Sequence, residues 1–142
     1  MHELTPDLEQ ARRFLAALDA TGQFTFQTFC DDKHVDLDTK KGLARKFHGD
    51  LATHAHSLAA LQRKRAGAFV TVNKTDLKGR KEENITSVRA VYVDLYGSPL
   101  EPVHEFPLKP SIIIESSPGR WHAYWLEHFR ASQCPLQVSR RM

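Results

Sequence analysis

The chain has 142 residues, 41% hydrophobic and 26% charged, values that exclude wholesale disorder and allow one domain with a real core. No run approaches the ~18 apolar residues of a membrane span, and the start, MHELTPDLEQ, is acidic where a secretory signal is basic and then apolar, so a cytoplasmic protein with no membrane partner is expected. The net charge of +3 and a pI near 9.0 are compatible with phosphate-bearing partners without requiring them, and Cys30 and Cys134, far apart and outside CxxC spacing, support neither a disulfide framework nor a zinc site.

Thr5, Pro6 and Asp7 offer a helix start, and Leu8, Ala11, Leu15 and Leu18 follow at helical spacing up to Gly22, so residues 1–23 are predicted to form an N-terminal helix. FTFQTF alternates as a strand, and DDKHVDLDTKK after it reads as a loop. From about Leu43 to Arg65, with Leu51, Ala55, Leu58 and Leu61 or Gln62 on one face, a second helix is predicted, ending in a basic turn that suits its dipole. AFVTVN is a short strand, KTDLKGRKEEN a polar loop and SVRAVYVDL a longer strand. Pro99, Pro102, Pro107 and Pro110 break the connection to the strand SIIIES, which SPGR separates from the strand WHAYWL. Five strands with at least two helices, placed mostly early, predict an α+β domain in which a mainly antiparallel sheet over residues 24–126 is covered by helices on one side.

Three polar patches stand where a sheet can hold them rigidly. In the first, Asn73, Lys74, Lys78, Arg80, Lys81, Asn84 and Arg89 collect after a strand; guanidinium and ammonium groups match phosphate oxygens, and Gly79 allows close backbone approach. A solvated loop, partly neutralised by Asp76, Glu82 and Glu83, is the plainer reading. In the second, Asp94 ends a hydrophobic strand. Side chains alternate along a strand, so Asp-X-Asp would aim two carboxylates to one side at a divalent cation, but the second position here is Tyr96, and a lone Asp is more often a turn residue. In the third, Glu115, Ser116 and Ser117 end one strand and Arg120 and His122 return on the next, a set that makes either an anion site or an ordinary hairpin with Trp121, Tyr124 and Trp125 in the core. His48, His54 and His56 show no HExxH pattern and read as surface or core residues.

In combination, FTFQTF, then FVTVN with KTD, KGRK and EN, then ITSVRAVYVDL, then SIIIESSPGRWHAYWL resemble, in family order, the RepB-like primase domain of plasmids and phages, within the archaeo-eukaryotic primase superfamily. The resemblance spans roughly Phe14 to Leu126. It implies an RRM-like catalytic core in which two Mg²⁺ or Mn²⁺ ions join nucleotides on a DNA template. Its metal-binding Asp-X-Asp motif falls on Asp94 and Tyr96, and its serine and histidine that contact the incoming phosphates fall on Ser117 and His122, with Arg120 beside them. Arg80, Lys81, Asn84 and Arg89 match the family's polar loop.

Two departures shape the functional expectation. The family reads D-L-D-G where this chain reads D-L-Y-G, and a phenol is a poor ligand for Mg²⁺. After Glu127 the chain runs HFRASQCPLQVSRRM with no further carboxylate, so the family's third acidic motif has no counterpart and residues 127–142 read as a divergent tail. Two-metal phosphoryl transfer needs several carboxylates to hold its cations. The expectation is therefore a single truncated primase-like domain of a mobile genetic element, without priming activity or a cofactor, that keeps nucleotide or DNA binding at Asn73, Arg80, Lys81, Asn84, Arg89, Ser117, Arg120 and His122. Reuse as an inhibitor of a host nuclease or defence complex, with a protein partner, is compatible with that expectation. The alternative is an active primase or nucleotidyltransferase, with Asp94 and His122 catalytic and Mg²⁺ or Mn²⁺ bound, completed by residues elsewhere or by Glu115.

Overall fold

The computed structural model describes residues 7–127 and the backbone of residues 136–139. Thr5, Pro6, Cys134 and most of the predicted tail lie outside the described residues. The elements are α1 (Leu8–Leu18), β1 (Phe24–Cys30), α2 (Leu37–Leu43), β2 (Lys46–Gly49), α3 (Leu51–Arg63), β3 (Ala66–Val70) and β4 (Lys74–Thr75). A 3-10 turn (Glu82–Asn84) then leads to β5 (Ile85–Ser87), β6 (Ala90–Asp94), α4 (Glu101–Glu105), β7 (Ile112–Ser117), β8 (Arg120–Leu126) and β9 (Leu136–Ser139). The fold is α+β, with small, mostly antiparallel sheets and four α-helices among the described residues. No helix among them is long and apolar enough to cross a membrane.

The chain divides into two compact units, Met1–Ala20 with Val88–Met142, and Thr21–Ser87. In the first, β6, β8, β7 and β9 form one sheet in that order, antiparallel except for the β7–β9 pair. Asp7 caps α1 by accepting from the Gln10 N–H at 3.1 Å, and the helix buries Ala11, Phe14, Leu15 and Leu18, the one-sided spacing the sequence predicts. Phe14 meets Tyr124 with ring centroids 5.3 Å apart, whereas Phe106, just after α4, meets Trp125 at 6.0 Å. Consecutive strand residues face opposite sides, so α1 and the segment after α4 meet opposite faces of β8, while most of β6 stays exposed. Between the layers Ile112, Ile113 and Ala123 are fully buried.

The second unit holds the sheets β2-β1-β3 and β4-β5. Buried threonines of β1 tie it together. The Thr28 hydroxyl donates to the Leu43 carbonyl at 2.7 Å and accepts from the Arg45 N–H at 3.0 Å, and Thr25 Oγ1 lies 2.7 Å from Thr75 Oγ1 and 2.9 Å from His48 Nδ1. His54 reaches the His48 carbonyl at 2.8 Å, so both half-buried histidines stitch the unit together.

Four of the differences from the sequence expectations have a visible cause. Leu37–Leu43, expected as a loop, is α2, because Asp36 caps it by accepting from the Thr39 N–H at 2.9 Å. The helix expected from about Leu43 starts at Leu51: Lys46–Gly49 pairs with β1, Gly49 takes a φ of 132°, and Asp50 caps α3 through the Thr53 N–H. SVRAVYVDL is interrupted at Val88 and Arg89, since β5 pairs with β4 whereas β6 pairs with β8. In place of one continuous sheet there are three, because long-range pairing decides which strands join.

Candidate functional site

In the first unit, β6 and β8 pair so that Asp94 stands opposite His122, Tyr92 opposite Tyr124 and Ala90 opposite Leu126. Period two puts these residues on one face. Asp94 Oδ2 lies 3.4 Å from His122 Nε2, with the carboxylate side chain 41% exposed and the imidazole 15%. The other ring nitrogen, Nδ1, is 3.3 Å from the Tyr124 hydroxyl, and Tyr92 stacks near His122 and Tyr124 with centroids at 6.5 and 5.2 Å. His122 is thereby oriented from both sides. Arg120, two residues earlier on β8, shares this face, and Ser117 stands opposite it in the β7–β8 register, past an irregularity between Glu115 and Ser117.

The stretch after Asp94 departs from the geometry that the Asp-X-Asp argument assumes. Asp94 Oδ1 accepts from the Tyr96 N–H at 2.9 Å, the Ser98 N–H returns to the Leu95 carbonyl at 2.8 Å, and Tyr96 and Gly97 take φ values of 54° and 88°. Positive φ ends the extended backbone, so the alternation rule stops at Asp94. Tyr96 is 80% exposed, and the Arg120 guanidinium sits 5.9 Å from its ring centroid. The Tyr96 side chain therefore acts at the surface as a partner for Arg120.

The donors do not fit a Mg²⁺ or Mn²⁺ centre. One Asp94 oxygen serves its turn and the other faces His122, and Glu115 accepts from the Gly119 N–H at 3.1 Å, closing the hairpin. Among the described residues no group of three or more His, Cys, Asp or Glu side chains is placed to hold a metal ion. Hard cations ordinarily require several converging oxygens.

No family model, curated protein or solved structure matches the chain.

The polar loop lies in the second unit for all its members but one. Arg89 belongs to the first unit, where its side chain is 5% exposed and its Nη2 and Nε lie 2.7 Å from Asp19 Oδ2. The guanidinium expected at a phosphate is instead a buried ion-pair partner. Asn84 is also committed: its amide nitrogen donates to both Asp76 oxygens at 3.3 and 3.2 Å, and its Oδ1 accepts from the Lys81 N–H at 3.1 Å. Gly79 is required by this latch, since a Cβ there would stand 2.4 Å from Asn84 Oδ1. Its close approach is to the chain itself. Arg80 and Lys81 project as exposed cations, and Asn73 is half-buried just before β4. Sequence reasoning missed Tyr92, although its position two before Asp94 on a strand signals a shared face, and it missed Asp19, 70 residues from its partner, for which no local signal exists.

The carboxylates of the second unit define its acid response. Asp76 is held below the usual aspartate range, chiefly by the Lys78 backbone N–H and then by the Asn84 side chain. Asp36 and Asp50 are lowered by hydrogen bonds from the side chain and then the backbone of Thr39 and Thr53, respectively. Folded values below unfolded ones mean that the stabilisation is fully present above the unfolded value near ~4 and is lost as pH falls through the lowered folded value. The amide resonances of Lys78 and Thr39 are therefore expected to titrate only below the ordinary aspartate value near ~4. Midpoints at or above the ordinary aspartate value would contradict these caps.

Proposed function

We propose that the protein is a primase-derived module of a mobile genetic element that binds a nucleotide or nucleic acid and carries out no priming. The supporting observation is the juxtaposition of Asp94 and His122 across β6 and β8, with Arg120 and Ser117 at the hairpin end of the same sheet. A charged fork, a hydroxyl and an oriented imidazole at one sheet end suit a polyphosphate, and none of these three groups needs a metal to bind it. Asp94 takes the role of a positioning residue, holding His122 and closing the turn that brings Tyr96 under Arg120. Occupying a host nuclease or defence complex is a further use of such a surface, open to affinity capture from host extract.

The test is direct binding of a nucleoside triphosphate, followed by calorimetry without divalent metal. Arg120→Ala is expected to weaken binding about tenfold or more, as loss of a charge-assisted contact does. His122→Ala is expected to weaken it less, and Lys109→Ala, outside this face, to leave it unchanged. Triphosphate binding that ignores Arg120 would remove the basis of the proposal. Template-dependent primers formed with Mn²⁺ and abolished by Asp94→Ala would establish the active primase instead.

A further inference from the structure

The sheet β2-β1-β3 has one face packed under α3, where Phe47 meets His54 with centroids 5.3 Å apart. On its other face lie Thr25, Gln27 and Phe29 of β1, Lys46 and His48 of β2, and Phe69 of β3, as the register requires. That face is closed at one end, where Thr25 meets Thr75 of β4 and Thr25, Gln27 and Thr75 are nearly fully buried. At its other end two phenylalanines are side by side at the surface. Phe29 is 39% and Phe69 45% exposed, with ring centroids 5.9 Å apart. The Arg80 guanidinium stands 5.1 Å from the Phe29 centroid, and Lys46, Lys78, Arg80 and Lys81 are all exposed.

From this arrangement we infer that Phe29 and Phe69 form a stacking platform for a single-stranded nucleic acid, with Arg80 and Lys81 holding its backbone phosphates. Paired aromatic rings on a small sheet, bordered by cations, match the chemistry of a strand whose bases have free π-faces, whereas bases in a duplex are already stacked on one another. An arginine poised over one ring can stack on a base and donate to phosphate together. The acids nearby set the path. The Asp31 carboxylate lies over Gly67, the residue opposite Phe29, 2.8 Å from where a Cβ would stand and so beside the two rings, which keeps phosphates from that end of the platform and leaves the Arg80 side to hold them. Asp32 faces Arg65 at 4.0 Å, Asp76 is committed within its loop, and Glu82 and Glu83 are exposed beyond Lys81. The inference rests on the proposed function in taking nucleic acid as the ligand class, but it uses none of Asp94, Ser117, Arg120 or His122.

The experiment is fluorescence anisotropy of the whole chain with labelled oligothymidine, oligouridine and a duplex of equal length, over a salt series. Binding of at least one single strand, with the duplex about tenfold weaker, is expected. Phe29→Ala and Phe69→Ala should each weaken single-strand binding about tenfold, whereas Phe69→Trp, which keeps a ring in place, retains it. Arg80→Ala should reduce the salt slope by about one, and the thymidine and uridine arms show whether DNA, RNA or both are accepted. Folded alanine variants that bind like the wild type, a duplex bound as tightly as the single strand, or no single-strand binding would each overturn the platform. Arg120-dependent triphosphate binding is read separately, so the failure of one site does not mask the other.

Discussion

Asp19→Ala is expected to lower stability by about 3–5 kcal/mol, because it leaves the buried Arg89 guanidinium without its carboxylate. The two side chains are 5% and 14% exposed and meet at 2.7 Å, so water has little access to the Arg89 guanidinium in place of the carboxylate. The loss is readable by urea unfolding followed by tryptophan fluorescence: the protein's two tryptophans, Trp121 and Trp125, both lie on β8 in the same unit as the pair. Removing both charges in Asp19→Ala with Arg89→Met should recover most of the loss, since the penalty comes from a buried charge deprived of this carboxylate. An unchanged unfolding midpoint in the single variant would refute the structural role of the pair. The result also bears on function, because a guanidinium reserved for phosphate would alter ligand binding when removed without a large change in stability.

Ile113→Ala is expected to cost about 2–5 kcal/mol, with Ile113→Val costing only about 0.5–1.5 kcal/mol. Ile113 is fully buried and stands opposite Ala123, itself fully buried, on the face of the sheet that Trp125 shares. Its small neighbour offers little side chain to collapse into the space. Val91→Ala, at a site 67% exposed on the edge strand of the same sheet, should change stability by no more than about 0.5 kcal/mol. Similar losses at Ile113 and Val91, which share one face of the sheet, would mean that Ile113 is not enclosed. The same tryptophan signal measures all three variants.

The candidate site was legible in parts. Asp94 at a strand end and Arg120 and His122 beyond a Pro-Gly turn follow from hydrophobic alternation and turn chemistry, which act over a few residues. That β6 would lie beside β8, bringing Asp94 to His122, required a pairing across the intervening α4 and β7. Arg80, Lys81, Asn84 and Arg89 looked alike as polar residues in one run, yet two project as cations, one latches its own loop and one is buried. Their fates depend on which side chains the fold brings to them: Asp76 across the loop for Asn84, and Asp19 from the first helix's end for Arg89.

By itself the sequence determined the α+β class, the apolar stripe of α1, the strand character of β1, β7 and β8, and the hairpin that returns Arg120 and His122. These rest on period, turn residues and nearby caps, whose energies are local. Only the tertiary structure decided that Lys46–Gly49 is a strand, that SVRAVYVDL is divided between two sheets, that Tyr96 leaves the strand in a left-handed turn, and that Phe29 and Phe69 stand together at a surface. Strand partners and burial are set by contacts between distant segments, and the same short run can satisfy its backbone in a helix or in a ladder until a neighbour is present.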